Sequence, residues 1–230
     1  LARDRMGKKP LYVASTREAL VFASELKAIT CFPGFNPELD GDAAATMLSK
    51  GWVPDDLCIW QGVFKLPPGS VLSVTAADFA SARSAGSLAH RIRRWWSLAD
   101  VASKAQRDPI AGSDEDLTTE LDSLLRLAVN ERMIADVPLG AFLSGGIDSS
   151  TVVALMQAQS QKPVRTFTIA FGESGFDEAP HAAAVARHLG TDHTELHLSP
   201  TAALEVIPEL PGIWDEPFAT PSPSPRQLTD

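Results

Sequence analysis

Apolar residues from about position 113 onward follow two alternating patterns along the chain. Short strand-like runs, one of them apolar and one rich in β-branched and aromatic residues, alternate with stretches in which apolar residues recur every three or four positions, as on one face of a helix. The strand-like runs cover residues 137–143, 164–171 and 194–198. The helical patterns cover residues 113–128, 182–189 and 202–210, and a further stretch that begins near residue 150. This alternation predicts an α/β fold, a doubly wound parallel sheet with helices on both faces.

The first 97 residues follow a different pattern, in which short apolar runs are separated by polar turns. The runs at 10–14 and 19–24 predict a hairpin, and residues 62–74 predict two strands on either side of a Pro-Pro-Gly turn. Residues 42–50 have the pattern of a short helix. Together these elements predict an α+β region built around a sheet.

Two segments that follow these strands carry a weaker periodic signal. Residues 75–94 are small and polar with a basic end, and they predict a loop with an inserted tip. Residues 98–112 are predicted to be a linker. The chain should therefore contain two domains or parts of domains, residues 1–97 and residues 113–230.

Composition and charge narrow the classes of function. The 230 residues are 44% apolar and carry a net charge of -9, which argues against general binding to nucleic acid or to an anionic membrane. No apolar run approaches the roughly 18 residues that a membrane span requires. Cys31 and Cys58 are expected to be reduced thiols of a cytoplasmic protein. Because the chain starts at Leu1 and stops at Asp230 within a pattern, we expect it to be a piece of a longer protein.

The stretch AFLSGGIDSSTVVALM, residues 141–156, holds the densest candidate chemistry. Gly145 and Gly146 stand between a predicted strand and a predicted helix, where free backbone N–H groups and the helix dipole favour an anion. Hydroxyl donors flank them at Ser144, Ser149 and Ser150. Asp148 would repel a phosphate unless Mg²⁺ bridged the two. The alternative is a serine- and glycine-rich turn in which the aspartate only caps the helix.

The motifs of this chain, taken in order, resemble those of the glutamine-hydrolysing asparagine synthetases. SGGIDSS is similar to the PP-loop, in which ATP pyrophosphatases bind the pyrophosphate of ATP. The stretches that carry the wider resemblance are ARDRMGKKPLYV, FASELKAI, FKLPPGSVL, VPLGAFLSGGIDSS, TFTIAF, FDEAPHAAAVARHLGTDHTEL and WDEPFATPS. The resemblance covers nearly the whole chain and is weakest between about residues 75 and 112.

The resemblance implies two domains and one coupled reaction. Residues 1–97 would be the rear part of a glutaminase domain of the N-terminal-nucleophile class. Residues 113–230 would be the front part of a PP-loop synthetase domain. In this family ATP and aspartate form β-aspartyl-AMP and pyrophosphate, and ammonia from glutamine then displaces AMP. The implied partners are therefore small molecules and Mg²⁺, and the family's proteins often form homodimers.

The resemblance also assigns candidate site residues. The residues implied to bind ATP and pyrophosphate are Leu143, Ser144, Gly145, Gly146, Asp148, Ser149, Ser150 and Ile169. Asp148 would hold Mg²⁺ through the phosphate, and Leu143 and Ile169 would contact adenosine unless they only pack in the core. Asp215 and Glu216 would lie on the acceptor side. Asp177 and Glu178 begin a helix, where capping is the expected role.

Parts of the family's machinery are expected outside this chain. The N-terminal cysteine nucleophile of the glutaminase has no match, and neither Cys31 nor Cys58 stands at its position. The second pyrophosphate loop would follow Asp230, so no catalytic residue is assigned and this piece alone should be inactive. Two alternatives stay open. One is a relative that amidates another carboxylate or closes a ring, as β-lactam synthetases do, and the other is a non-catalytic nucleotide-binding remnant.

Overall fold

The chain folds into two compact units in the computed structural model, which describes residues 1–16, 18–81, 85–171 and 178–218. The N-terminal unit contains Leu1–Ile110 and, among the described residues, also 210–218. The C-terminal unit contains Ala111–Glu209.

Short antiparallel strands form the framework of the N-terminal unit. The strands are β1 Tyr12–Ser15, β2 Leu20–Ala23, β3 Val63–Lys65, β4 Ser70–Leu72 and β5 Ile92–Arg94. The first sheet of the unit has the order β2-β1-β3, and the second pairs β4 with β5. The antiparallel pairing of β1 with β2 confirms the predicted hairpin.

Strand β1 has a buried core on each of its faces. Because side chains alternate along a strand, Tyr12 and Ala14 pack into one apolar cluster with Leu26, Ile29 and Ile59. Val13 packs into a second cluster with Leu66, Leu72 and Leu88. The sheet is therefore covered on both sides, although its strands are only three or four residues long.

Short helices complete the N-terminal unit. Their bounds are α1 Leu26–Thr30, α2 Gly41–Lys50, α3 Ala76–Ser81, α4 Leu98–Arg107 and α9 Leu210–Ile213. Helix α2 confirms the short helix predicted at 42–50: the Asp40 side chain accepts from the Ala43 N–H at its start, and Gly51, with φ 81°, ends it. Helix α4 occupies most of the segment that was expected to be a linker.

The prediction of a loop over residues 75–94 is wrong for most of that stretch. It contains helix α3, a 3₁₀ helix at Ala85–Arg91 and strand β5. The hydroxyl of Thr75 accepts from the Asp78 N–H and donates to the Asp78 carboxylate, which starts α3. Leu88 is buried in the second cluster. Leu88 and Ile92 pack this segment against the second cluster, and two residues are too few to set a helical or strand period. The hydrophobic pattern therefore did not predict these elements.

The C-terminal unit alternates strands with helices around a parallel sheet. Its elements are α5 Asp114–Asn130, β6 Gly140–Phe142, α6 Ile147–Ala158, β7 Arg165–Phe171, α7 Ala179–Leu189, β8 Asp192–Leu198 and α8 Pro200–Val206, with a 3₁₀ helix at Ile207–Glu209. Strands β6, β7 and β8 pair in sequence order, with Gly140 opposite Arg165 and Ile169 opposite Leu196. The predicted mixed α/β architecture with a parallel sheet is confirmed.

Local sequence signals set the ends of these elements. Ser113 and Asp116 form the capping box that starts α5, and Gly190, at φ 70°, ends α7. Strand β6 is shorter than the predicted 137–143. Pro138 cannot donate a ladder hydrogen bond, and the strand begins at Gly140. Among the described helices, none combines the length and the apolar character that crossing a bilayer requires.

Candidate functional site

The SGGIDSS stretch lies where strand β6 ends and helix α6 begins, as predicted. The chain is fixed just before this turn. The Leu143 N–H donates to the Phe167 carbonyl at 2.9 Å, and the Thr168 hydroxyl donates to the Leu143 carbonyl. The Leu143 side chain is buried and packs with Val153 and Ala182. The turn therefore starts from a rigid point at the end of the parallel sheet.

Gly145 is the residue of the turn whose backbone excludes a side chain. Its φ is +80°, a left-handed conformation that L residues rarely adopt. A Cβ at this position would lie 2.7 Å from the His181 Cβ and 2.8 Å from the Ala182 backbone nitrogen. Gly146, by contrast, has φ -72° and would place a Cβ no closer than 3.4 Å, to the Ser144 hydroxyl. Gly145 thus lets the turn pack directly on the first turn of α7.

The serines of the turn form a network of short hydrogen bonds. The hydroxyls of Ser144 and Ser149 lie 2.9 Å apart, and the Ser149 hydroxyl also accepts from the Ser144 N–H at 3.2 Å. The Gly146 N–H donates to the Ser144 hydroxyl at 3.4 Å. These contacts hold two hydroxyl groups in one orientation, beside the start of α6.

Two features leave hydrogen-bonding capacity for a ligand at this helix start. The N-cap residue is Gly146, so no side chain caps the first N–H groups of α6. The Ser150 hydroxyl is buried and, within the part of the chain that the structure describes, has no hydrogen-bond partner. A buried polar atom without a partner is costly, which favours a bound group at this point. Together they offer donors to an anion.

Asp148 and Ile169 flank the turn in different settings. Asp148 is exposed in the first turn of α6, and Ile169 is half-buried in β7. Within the described ranges, no three His, Cys, Asp or Glu side chains come together as a metal site. A cation at Asp148 would therefore need ligands from the bound anion as well. The role predicted for Asp148, holding Mg²⁺ together with phosphate, stays a prediction.

The acidic residues predicted elsewhere have other surroundings. Glu178 is the N-cap residue of α7, but its side chain makes no capping hydrogen bond, so the capping role predicted for it is wrong. Asp177 falls outside the described residues. Asp215 and Glu216 belong to the N-terminal unit. There both carboxylates accept hydrogen bonds from backbone N–H groups, and Glu216 also forms an ion pair with a lysine.

Comparison with known proteins matches both parts of the chain. The glutamine amidotransferase domain profile matches residues 1–84, and the asparagine synthase profile matches residues 120–229. The chain is 30% identical to asparagine synthetase (glutamine-hydrolyzing) 1 of Bacillus subtilis over 97% of its own length and 32% of that protein.

Two further relatives differ in what their names describe. A candidate glutamine-hydrolyzing asparagine synthetase of Methanocaldococcus jannaschii is 33% identical over 94% of this chain and 39% of that protein. Amidase chry2 of Gibberella zeae is 30% identical over 83% of this chain and 28% of its own length. The chain thus spans about a third of the length of these relatives.

The chain resembles the glutamine-hydrolysing asparagine synthetases over nearly its whole length. The resemblance found in its motifs is thereby confirmed. The roles that the family implies for individual residues stay predictions, as do the bounds of the two domains. What the fold adds is that the six residues predicted to form a PP-loop, from Ser144 to Ser150, stand together at one strand end. Asp215 and Glu216 are held by partners in the N-terminal unit.

Two residues of these sites were not expected from the sequence. Thr168 anchors the end of β6 from the neighbouring strand, and its place in TFTIAF gave no hint of that bond. Lys65 is buried and pairs with Glu216. A lysine between Phe64 and Leu66 suggests a strand with one face buried and the other, with the lysine, exposed to solvent. Because both faces of β3 are covered, the alternation of apolar and polar residues gives the wrong expectation for Lys65.

Proposed function

We propose that the full-length protein makes asparagine from aspartate, ATP and glutamine. In the first step an oxygen of the aspartate side-chain carboxylate attacks the α-phosphorus of ATP. The bond from that phosphorus to the bridging oxygen breaks, and pyrophosphate leaves with the electron pair. In the second step ammonia, released from glutamine by the amidotransferase domain, attacks the β-aspartyl carbonyl carbon. AMP leaves, and the nitrogen loses one proton to give the amide.

The residues of the PP-loop would bind the leaving pyrophosphate. Charge builds up on its oxygens as the bond breaks, and preoriented donors at a helix start stabilise such charge. The Ser144 and Ser149 hydroxyls are already mutually oriented, and the buried Ser150 hydroxyl has capacity to spare. Asp148 would hold Mg²⁺ jointly with phosphate oxygens, which neutralises part of their charge. Leu143 and Ile169 would border the adenosine.

One observation carries the proposal: among the described residues, the buried Ser150 hydroxyl has no hydrogen-bond partner, and it stands at a helix start that no side chain caps. A turn that only connected a strand to a helix would gain nothing from either feature. The resemblance to asparagine synthetases supports the same assignment. The alternative in which Asp148 only caps the helix receives no support, because the described α6 has no side-chain cap.

The test uses the full-length protein with ATP, Mg²⁺, aspartate and glutamine. AMP, pyrophosphate, glutamate and asparagine are measured together. Ser150→Ala should lower the rate of pyrophosphate release about tenfold or more, since a charge-stabilising donor is lost. Thr151→Ala is the matched control, because that hydroxyl is one residue away but already donates to the Ile147 carbonyl. Equal rates for Ser150→Ala and wild type would refute the binding role.

A second candidate function keeps the same chemistry with another acceptor. The likeness to amidase chry2 shows that similarity at this level extends to a protein not named asparagine synthetase, so the acceptor is tested directly. A panel of carboxylates, assayed for AMP release, separates the two. Rapid AMP release with aspartate supports asparagine synthesis. AMP release with another carboxylate, but not with aspartate, replaces it.

A further inference from the structure

The segment Trp214–Phe218 is fastened to the N-terminal unit by two adjacent carboxylates. The Asp215 carboxylate accepts from the backbone N–H groups of Leu26 at 2.8 Å and Lys27 at 3.2 Å. These are the first two residues of α1, whose N-cap residue Glu25 makes no side-chain capping bond of its own. Asp215 therefore caps a helix that lies almost 190 residues earlier in the chain.

Glu216 makes the second attachment, deeper in the same unit. One of its carboxylate oxygens accepts from the Ile59 N–H at 2.9 Å, and the other lies 2.5 Å from the Lys65 ammonium. The Lys65 side chain is 5% exposed and the Glu216 side chain 12%. The ammonium also donates to the carbonyls of Val53 and Pro54, at 3.1 and 3.2 Å. An ammonium has three hydrogens, and these contacts use all three.

The ion pair borders a buried, mainly apolar cluster of the N-terminal unit. Tyr12 and Cys58 belong to that cluster. Burial raises the pKa of the Cys58 thiol to about 12, and the nearby Glu216 charge raises it as well. Burial and then Glu216 also raise the pKa of the Tyr12 phenol. Both groups stay uncharged at neutral pH, so Lys65 balances the charge of Glu216 within this cluster.

The two ends of this attachment belong to different sequence families. Residues 214–218 lie within the asparagine synthase match, and their partners Leu26, Ile59 and Lys65 lie within the glutamine amidotransferase match. Both carboxylates are occupied by protein donors. They are thus poorly placed to bind a substrate or a metal, which the sequence had suggested for an acceptor-side pair.

We propose that Asp215, Glu216 and Lys65 form a latch that fixes synthase residues 214–218 to the amidotransferase part, and that this latch couples the two reactions. Asp215 and Glu216 are positioning residues in this role. The coupling half of the inference rests on the proposed function. When the latch is released, each half keeps its own chemistry, but ammonia made from glutamine is used less efficiently.

The first experiment compares nitrogen sources in the full-length protein. Glu216→Gln keeps the shape and the acceptor for Ile59 but removes the charge that faces Lys65. We expect synthesis with ammonium salt to keep its kcat and its KM for aspartate, while asparagine formed per glutamate released falls about threefold or more. The exposed Glu209→Gln is the matched control and should not change that ratio. A raised KM for aspartate, or an unchanged ratio, overturns the proposal.

The second experiment follows the latch without using activity. Hydrogen exchange at the amides of Leu26 and Lys27 should become about tenfold faster in Asp215→Ala/Glu216→Gln than in wild type, because both lose their acceptor, while the amides of α6 keep their protection. Unchanged exchange at both amides overturns the latch. If full-length wild type makes no asparagine from either nitrogen source, the proposed function has failed, and the exchange result still decides whether the latch exists.

Variants that leave Lys65 unpaired in a buried site could unfold the unit, because an uncompensated buried charge is costly. Lys65→Met/Glu216→Gln removes both charges and avoids that outcome. It should melt closer to wild type than Lys65→Met alone and still show the lowered ratio of asparagine to glutamate. A folded double variant with the wild-type ratio overturns the coupling role.

Discussion

A single methyl group added at Gly145 should distort the SGGIDSS turn more than one added at its neighbour Gly146. In Gly145→Ala the backbone of residue 145 must either keep its φ near +80° or change, and a change would move the turn away from α7. At the present backbone position it would overlap the His181 Cβ at 2.7 Å and the Ala182 nitrogen at 2.8 Å. Neither contact is the flexible end of a side chain, so the backbone has to give way.

The cost has two parts that can be estimated separately. A left-handed conformation costs a non-glycine residue about 1 to 3 kcal/mol. An extra methyl in a tightly packed contact costs about 1 to 3 kcal/mol more. The free energy of unfolding should therefore fall by about 2 to 6 kcal/mol, which corresponds to a melting temperature lower by roughly 8 to 48 °C for a unit of about 100 residues.

Gly146→Ala is the matched control, because residue 146 has φ -72° and only the Ser144 hydroxyl within reach, at 3.4 Å. Its melting temperature should stay within about 2 °C of wild type. The assay measures thermal unfolding and MgATP binding for the full-length wild type and for both variants. We expect Gly145→Ala to lose both stability and nucleotide affinity. If Gly146→Ala loses affinity alone, a ligand approaches that backbone closely. Equal melting of all three proteins would refute the packing argument.

Four further outcomes follow from the described contacts. At pH 8 the exposed Cys31 should be alkylated readily, while Cys58, whose pKa is raised to about 12, reacts only after unfolding, as mass spectrometry would show. Because the unfolded thiol ionises near 9 and the folded one does not, stability should fall as pH rises from about 9 towards 12, and less so in Cys58→Ala. Leu143→Ala should lower the free energy of unfolding by about 2 to 5 kcal/mol in a denaturant titration. Asp40→Ala, which removes the cap of α2, should cost about 1 kcal/mol, and exposed Asp42→Ala clearly less.

The parallel sheet was predictable because its signals are local. Strands β6 and β7 are rich in apolar and β-branched residues, β8 carries Leu196 and Leu198 at alternate positions, and the helices between the strands carry apolar residues at a helical period. Caps at Ser113 and Gly190 set helix ends within a few residues of their own positions. Each of these features depends on contiguous sequence. The predicted strand-to-helix turn was therefore located correctly before any tertiary contact was known.

The glycine turn and its hydroxyl donors were predictable for the same reason, but the contacts that each residue makes were not. SGGIDSS indicates a glycine turn with hydroxyl donors, and those residues do stand at one helix start. Which glycine is indispensable depends on His181 and Ala182, which come more than thirty residues later. Which hydroxyl is left without a partner depends on packing around Ser150. These are properties of the folded unit, and no local pattern encodes them.

The placement of Asp215 and Glu216 shows where local inference stops. Their resemblance to a family motif suggested an acceptor site, yet their partners are a helix start at Leu26, a backbone amide at Ile59 and the buried Lys65. Each partner is more than 150 residues away, so only the fold brings it near. A pair of acidic residues in a sequence motif shows that negative charge is present at that point of the chain. Whether that charge meets a substrate or a protein amide depends on which donors the rest of the chain supplies. Here the donors at Leu26, Ile59 and Lys65 satisfy both carboxylates, which makes a positioning role the physically consistent one.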